Sequence, residues 1–449
     1  MTTAEATRDQ ARLVPRRLGV GTATLVVAAS MIGTGVFTTS GLLLETLSSP
    51  TLVLLAWLVG GVVAACGALT YGELVAAYPR NGGEYHLLSE LYHPAIGFIA
   101  GWVSLVVGFS APIAAAALAC GKYVGALVPS FAPRVVALVL VLSLTALHAV
   151  RVTWGASLQN ALTAAKVLLI AGFVAVAARQ IPWGTAHLGS AVVGPGMGRH
   201  FAVALVFVAF SYSGYNGAAY LSGEVREPRK NLPVALVGGT ALVTALYLAL
   251  NTVILFSAPS ERLVGVVEVG HVAAVTLLGQ RAGAALSALI GLALASSVSA
   301  MIMLGPRVYE AMGQDYPALV RLRRRSSRGG PLLATALQAA LAVVMLLTTS
   351  FEALLVYVGF TLSVAALLTV AGVFVHRRRG GGRDDYRTWG YPVTPLLFIV
   401  STGWMVIYSL IERPTEALFG GATVLAGYLA YLLVRRMGGS AHPREGERT

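Results

Sequence analysis

Long apolar stretches follow one another along almost the entire chain, and this feature restricts its fold more than any other. A helix needs about 20 residues to cross the hydrocarbon core of a bilayer. Only 11% of the residues are charged, whereas soluble proteins average about 25%. We therefore predict an all-α polytopic membrane protein with twelve transmembrane helices. The predicted spans lie near residues 18–43, 51–77, 95–127, 135–151, 156–178, 201–224, 232–257, 282–311, 332–349, 353–375, 393–411 and 416–434.

The basic residues predict how these spans are oriented. An even number of spans places both termini on one side. That side then holds 24 of the 32 Lys and Arg residues, against six on the other. Cytoplasmic loops are enriched in Lys and Arg, so we expect a cell (inner) membrane protein with cytoplasmic tails at 1–17 and 435–449. Topology thus explains the net charge of +13, and the expected partner is the lipid bilayer, with no nucleic acid.

Two predicted spans, the first and the sixth, are interrupted by glycine and hydroxyl residues. The interruptions are residues 29–37 and residues 210–217. Irregular backbone at membrane depth is tolerated only where it is buried in protein or lines a polar cavity. Small residues also occur where membrane helices pack closely, and this explanation would be adequate for one interruption alone. Two interruptions at matching places in the two halves favour a substrate site at the membrane midplane.

The positions of the two interrupted spans also predict the internal organisation of the chain. If residues 18–178 form one repeat of five helices, the next five helices, within 179–375, enter the membrane from the opposite face. Each repeat then begins with an interrupted helix, as expected for an inverted-topology repeat. Helices 11 and 12, within 376–434, follow as an additional pair.

The interrupted helices indicate which kind of molecule the site would bind. Amide groups at the start of a helix attract anions, and carbonyl groups at its end attract cations. A free amino acid carries an adjacent carboxylate and ammonium, so it matches such a pair of helix ends. The amides expected to hold the carboxylate belong to Gly33, Thr34 and Gly35. The carbonyls expected to hold the ammonium lie near Met31, Phe210 and Ser213.

Four motifs in order along the chain resemble the amino acid–polyamine–organocation (APC) superfamily of permeases, especially its sodium-independent LAT-like and bacterial members. Residues 32–37 resemble the glycine-rich signature of the first span, and residues 210–233 resemble the sixth span and its exit. Residues 78–85 and 306–315 resemble the segments after the second span and at the end of the eighth. The resemblance implies a leucine-transporter-like 5+5 inverted repeat plus two helices, which moves amino acids by alternating access.

The resemblance also implies roles for individual residues. Phe210 matches the aromatic residue that lies over the substrate and gates it toward the outside. Lys166 matches a lysine whose ammonium replaces a sodium ion, and Ser297 matches its partner in the eighth span. A lysine at mid-depth is costly unless it is paired, neutral or faces a polar cavity. The expected substrate-binding residues are Met31, Gly33, Thr34, Gly35, Phe210, Ser211, Ser213 and Gly214.

These observations predict a sodium-independent exchanger (antiporter) for small or medium neutral L-amino acids. No carboxylate is evident among the expected pocket residues, which disfavours a transporter of cationic amino acids or polyamines. A proton-coupled symporter remains an alternative. A channel or an intramembrane enzyme is a weaker alternative, because neither repeated pore elements nor a catalytic motif is found. We expect no catalytic residue, metal or cofactor.

Three further expectations concern the loops and the inner ends of the spans. Residues 128–134, the third connection, contain no cysteine, so we expect no disulfide-linked heavy-chain partner. Cys66 and Cys120 lie in apolar spans and are expected to be buried. Carboxylates in membranes usually find partners, so Glu73 and Glu224 are expected to pair with loop arginines. The candidate partners are Arg80 and Arg226.

Overall fold

The structure, a computed structural model, describes residues 18–150, 156–181, 183, 196–324, 331–381 and 386–438. The predicted tail 1–17 and most of the tail 435–449 lie outside these ranges. Within them the regular elements are helical, apart from an isolated bridge between Leu18 and Val225. The α-helices are α1 (Val20–Met31), α2 (Gly35–Leu47), α3 (Pro50–Ala77), α4 (Glu84–Leu91), α5 (Pro94–Val103), α6 (Ala111–Leu127), α7 (Pro133–Val150), α8 (Ala156–Ala177), α9 (Met197–Tyr212), α10 (Pro228–Leu255), α11 (Val269–Leu278), α12 (Gln280–Asp315), α13 (Leu332–Thr348), α14 (Phe351–Arg378), α15 (Val393–Glu412) and α16 (Pro414–Gly438).

Nine helical segments of the described chain are long and apolar enough to cross a membrane. They are Val20–Leu47, Pro50–Ala77, Pro94–Leu127, Met197–Glu224, Pro228–Leu255, Gln280–Asp315, Phe351–Arg378, Val393–Glu412 and Pro414–Met437. The other three predicted spans coincide with the shorter apolar helices Pro133–His148, Ala161–Ala177 and Leu332–Thr348. The prediction of an all-α polytopic membrane protein is confirmed, whereas the total of twelve crossings stays a prediction.

Two short helices, α4 and α11, lie in segments predicted only as connections. They contain 8 and 10 residues, which is too short to cross a bilayer. Tyr85 and Leu88 on α4 are buried against the rest of the protein. Tertiary packing therefore brings a connecting segment into the interior, and residues of such a segment can reach the centre of the molecule.

The ends of the long helices follow local sequence signals. Pro50 occupies the first turn of α3, and the side chain of the preceding Ser49 accepts a hydrogen bond from the Leu52 amide at 3.5 Å. Ser350 accepts a bond from the Ala353 amide at 3.2 Å at the start of α14. Proline and hydroxyl residues favour these positions because the first amides of a helix have no partner within it. Such signals fix where these spans begin.

The two interrupted helices pack beside the same group of long helices. α2 packs against α9, and α1 packs against α10. α10 also lies along α3, α9 contacts α14, and α8 contacts α1 and α12. This arrangement brings both interruptions to the interior, where the surrounding helices shield their backbone groups from lipid.

Glu73, near the C-terminal end of α3, is paired, but with neither of the arginines that were predicted. Its carboxylate accepts hydrogen bonds from Arg377 Nε and Nη2 at 2.7 and 2.8 Å, and from the Thr388 amide at 2.6 Å. The prediction that Glu73 pairs with Arg80 or Arg226 is therefore wrong. At the C-terminal end of α3, Glu73 thus contacts α14 and the segment after it.

Glu224 likewise pairs with a distant arginine. Arg307 lies 3.5 Å from its carboxylate, and Asn81 donates a hydrogen bond to it at 3.3 Å. Arg80, from the loop after α3, instead pairs with Asp315 at the end of α12 at 2.7 Å. The C-terminal ends of α3, α12 and the second interrupted helix are thus connected by polar contacts.

Candidate functional site

The first interruption separates α1, which ends at Met31, from α2, which begins at Gly35. The amides of Gly33, Thr34 and Gly35 have no hydrogen-bond acceptor among the residues that the structure describes. Amides at a helix start carry partial positive charge and attract anions. The interruption therefore presents the donors that a carboxylate requires.

The second interruption begins after Tyr212, where α9 ends, and the chain continues as a 3₁₀-helix, Gly217–Glu224. The second half is thus a tighter helix than the α-helical span that was predicted. Gly214 has a φ of +100°, a conformation that favours glycine. A Cβ atom at this position would lie 2.6 Å from the carbonyl oxygen of Ser30. Gly214 therefore lets the two interruptions come into backbone contact.

The glycines of the first interruption differ in their surroundings. A Cβ atom at Gly35 would lie 2.2 Å from Oγ of Ser211, so this glycine permits close packing of the two interrupted helices. The Ser211 hydroxyl also lies 3.2 Å from Oγ1 of Thr39. A Cβ atom at Gly33 would meet nothing closer than the Met31 oxygen at 3.9 Å. Gly33 therefore borders open space, whereas Gly35 has a packing role.

A cavity of about 390 Å³ lies between the two interruptions. Its wall includes all eight residues predicted to bind substrate, and also Ser297. The wall continues through Leu18, Glu224, Arg307 and Pro331, at the end of the molecule that the charge distribution places in the cytoplasm. The cavity therefore connects the predicted site with that end.

The helix-end carbonyls already have partners, one of which the sequence did not reveal. The hydroxyl of Tyr247, on α10, lies 2.6 Å from the Met31 oxygen and 3.2 Å from the Ser211 oxygen. The Phe210 oxygen accepts bonds from both the amide and the hydroxyl of Ser213. A carbonyl oxygen has two lone pairs, so Met31 retains more capacity for an ammonium than Phe210 does. A single tyrosine in an apolar span carries no sequence signal for this contact.

Lys166 and Ser297 are brought together as predicted. The ammonium of Lys166 donates a hydrogen bond to Oγ of Ser297 at 2.7 Å. Ser297 Oγ in turn lies 3.5 Å from the carbonyl oxygen of Ile32, the first residue of the interruption, and 3.1 Å from that of Ala293. Lys166 is only 3% exposed and does not line the cavity. Its charge is thus linked to the first interruption through the Ser297 hydroxyl.

Three carboxylates line the cavity, contrary to the prediction that it has none: Glu84, Glu224 and Glu310. Glu84 accepts hydrogen bonds from the Tyr71 hydroxyl at 2.5 Å and from the Asn216 side chain at 3.1 Å. Burial raises the pKa of Glu84 from its ordinary 4.5 to about 7, against the opposing effect of these two bonds. Glu84 comes from the short helix α4, which the sequence indicated only as a connection.

Comparisons with known proteins agree with this architecture. A family model described as amino acid permease matches residues 18–429. The serine/threonine exchanger SteT of Bacillus subtilis (strain 168) is 28% identical over 423 residues, which cover 92% of this chain and 94% of the relative. The large neutral amino acids transporter small subunit 2 of Rattus norvegicus is 26% identical over 447 residues, covering 93% and 80% of the two chains. The Asc-type amino acid transporter 1 of Mus musculus is 26% identical over 437 residues, covering 93% and 81%.

The match of the family model extends over the two interrupted helices, Lys166 and Ser297, and it confirms the resemblance inferred from the four motifs. The chain therefore belongs to the amino acid permease family of the APC superfamily.

Proposed function

We propose that this protein is a sodium-independent exchanger of small or medium neutral L-amino acids that works by alternating access. The observation that carries the proposal is the contact of Lys166 with Ser297, next to an interruption whose amides lack acceptors. A residue ammonium at that place supplies the positive charge that a sodium ion would otherwise bring. The relationship to a serine/threonine exchanger supports exchange as the mode of transport.

The proposed substrate position follows from the polarity of the helix ends. The carboxylate is held by the free amides of Gly33, Thr34 and Gly35. The ammonium faces the Met31 carbonyl, which Tyr247 orients. The side chain extends into the cavity beside Phe210, where Ser213 and Met301 line the wall. A cavity of about 390 Å³ accepts a small or medium side chain together with water.

The experiment that tests exchange is uptake of labelled amino acids into proteoliposomes. Serine, threonine, alanine and leucine are tested with and without unlabelled amino acid inside, and in sodium or choline chloride. We expect uptake to rise several-fold with internal amino acid and to be equal in the two salts. Uptake that depends on sodium, or that is indifferent to internal amino acid, would contradict the proposal.

The role of Lys166 is tested by the variant Lys166→Met. A hydrogen bond from a charged donor contributes about 1.5–3 kcal/mol to the stability of the structure that it holds. Since 1.4 kcal/mol corresponds to about a tenfold change in an equilibrium constant, we expect the exchange rate of the variant to fall about tenfold or more. Lys122→Met is the matched control, because Lys122 is an exposed lysine in another span and its loss should leave exchange unchanged. Equal exchange in Lys166→Met and wild type would show that the ammonium is not required.

A cationic amino acid or polyamine transporter is the second candidate, because Glu84 and Glu310 line the cavity. Arginine, lysine and putrescine are therefore included in the same assay.

A proton-coupled symporter predicts that a pH gradient drives accumulation without internal amino acid. Trans-stimulation without a gradient separates exchange from this alternative, and saturable counterflow separates a carrier from a channel. Enzymatic activity is not part of the proposed function.

We further propose that both termini face the cytoplasm and that the protein lies in the cell (inner) membrane without a disulfide-linked partner. The charge distribution supports the orientation. Cys66 and Cys120 are both buried, so neither is accessible to a partner chain. Labelling of engineered cysteines at Ser130 and Ser326 from the two sides of the membrane tests the orientation. We expect position 326 to be accessible from the cytoplasm and position 130 from outside.

A further inference from the structure

Glu84 is a buried carboxylate that the proposed exchange cycle does not use. It begins α4, only 4% of the residue is exposed, and it lines the cavity near the second interruption. In the sequence Glu84 lies in a connection between two predicted spans, but in the folded protein it is buried in the interior. A carboxylate taken from water into such surroundings is stabilised in its neutral form unless a cation accompanies it.

The hydrogen bonds of Glu84 leave one carboxylate oxygen available. The Tyr71 hydroxyl and the Asn216 side-chain amide both donate to Oε1, at 2.5 and 3.1 Å. No donor to Oε2 and no salt bridge to Glu84 is found among the residues that the structure describes. A proton from water in the cavity can therefore add to Oε2 without displacing either existing bond.

The titratable groups around Glu84 are mostly tyrosines. Tyr71 from α3, Tyr215 from the second interruption and Tyr220 from the 3₁₀-helix after it interact electrostatically with its carboxylate. The same cavity is lined by Glu224, Glu310 and Arg307, of which Arg307 lies 3.5 Å from Glu224. Further titratable groups on α4 are Tyr85, His86 and Glu90, and His93 follows its end. Asp315 accepts a hydrogen bond from the Tyr85 hydroxyl, and Arg379 donates one to the Glu90 carbonyl. Arg80 pairs with Asp315, and His376 forms a hydrogen bond with Tyr78.

We propose that Glu84 is a proton-binding site on the transport pathway, whose protonation state sets how readily the second interruption rearranges during exchange. The proposal rests on the exchange function proposed above. An ionised carboxylate forms stronger hydrogen bonds than a neutral one, by roughly twofold in energy. The ionised form therefore holds Asn216, and with it the segment after α9, more tightly to α4. Protonation at Oε2 weakens this connection, so exchange is faster when Glu84 is neutral.

The first test is the exchange rate as a function of pH, from about pH 5 to about pH 9, with equal pH on both sides of the membrane. In the wild type we expect the rate to fall about fivefold to tenfold as the pH rises through the pKa of Glu84. Glu84→Gln keeps a neutral side chain of the same shape, so its rate should stay near the acid-side value throughout. The control Glu90→Gln removes a carboxylate from the same helix and should keep the wild-type profile.

A second variant tests the site without removing the carboxyl group. Tyr71→Phe removes one donor to Oε1 and so destabilises the ionised form. We expect the midpoint of the pH profile to move upward by about one unit. A wild-type profile in Glu84→Gln, or an unmoved midpoint in Tyr71→Phe, would overturn the proposal. If the Glu84→Gln protein is not produced in folded form, the pH profile of Tyr71→Phe tests the proposal on its own.

Thermal unfolding without substrate separates failure of this proposal from failure of the exchange function. Burial raises the pKa of Glu84 from 4.5 to about 7, so between these values the folded protein binds more protons than the unfolded chain. The stabilisation linked to this proton is complete below the lower value and is lost as the pH rises through the higher one. The melting temperature of the wild type, relative to Glu84→Gln, should therefore fall over this range. A constant difference would count against Glu84 even if exchange is observed.

Discussion

At the scale of single residues, the hydroxyl of Tyr247 connects the two interrupted helices. It touches the carbonyl oxygens of Met31 and Ser211, which lie where the first half of each interrupted helix ends. Of the two, the Met31 carbonyl is the one that we propose to face a substrate ammonium. We therefore propose that Tyr247 is a positioning residue, which holds the carbonyl groups at the ends of the two helices at a fixed distance.

The variant Tyr247→Phe tests this role. It leaves buried acceptors without a donor, which costs about 1–3 kcal/mol of stability, and it releases the Met31 carbonyl. We expect the KM for exchange to rise about fivefold or more, with a smaller change in the maximal rate. Tyr212→Phe is the control, because its hydroxyl bonds to the Trp57 oxygen at 3.1 Å and not to a helix end. If both variants lose stability but neither changes KM, the positioning role is wrong.

Gly33 and Gly35 allow a matched comparison of ligand space and packing. Gly33→Ala adds a methyl group toward open space, so the protein should fold normally while the KM rises. Gly35→Ala places a methyl group against Ser211, and overpacking costs about 1–3 kcal/mol. We expect a lower melting temperature for Gly35→Ala only. The reverse result would mean that Gly33 contributes to packing and does not border the substrate.

Single residues also show where sequence reasoning succeeds. Lys166 was predictable because a lysine at mid-depth requires a partner, and Ser297 supplies it. Glu84 and Tyr247 were not, because their roles depend on a fold that brings α4 and α10 to the interruptions. A glutamate in a connecting segment and a tyrosine in an apolar span do not by themselves indicate a binding site. Only three-dimensional packing distinguishes them.

At the scale of elements, the strongest polar connection joins α3, α14 and the segment after α14. Glu73 is 1% exposed and accepts two bonds from Arg377 and one from the Thr388 amide. The Arg377 guanidinium also lies 3.7 Å from the centre of the Tyr391 ring. This contact fixes the C-terminal ends of two long helices relative to each other, so Glu73 has a structural role here.

The variant Glu73→Gln is therefore expected to destabilise the protein. Removing one partner of a buried ion pair costs about 3–5 kcal/mol, and the partial exposure of Arg377 reduces this figure. The control is Glu352→Gln, whose pair with Arg413 is about equally short but far more exposed. Exposed pairs contribute about 0–1 kcal/mol, so its melting temperature should barely change. Equal effects of the two variants would contradict the structural importance of Glu73.

Elements were predictable to different degrees. The first interruption was placed correctly: Gly33 lies in the short gap between the two helical halves, and Gly35 begins the second half. The second half of the sixth span forms a 3₁₀-helix, which its composition does not distinguish from an α-helix. α4 and α11 were missed because their short segments are stabilised by contacts with distant helices.

At the scale of the whole molecule, the all-helical architecture followed from the apolar spans. The two inverted five-helix repeats remain a prediction, which rests on the matching positions of the interruptions. The cavity reaches from both interruptions to Glu224 and Arg307, at the predicted cytoplasmic end. Alternating access requires a state in which the site is open to one side of the membrane, and a cavity that reaches this end is consistent with such a state. It could not be predicted from the sequence, because the same spans must also form the opposite state.

The central claim is that the paired interruptions form one amino acid site. It is tested most directly by an experimental structure of the protein with a transported neutral L-amino acid bound in sodium-free buffer. We expect the carboxylate within hydrogen-bonding distance of the amides of Gly33, Thr34 and Gly35, and the ammonium beside the Met31 carbonyl. Amino acid bound elsewhere, or a cation between Ile32 and Ser297 in place of the Lys166 ammonium, would contradict it.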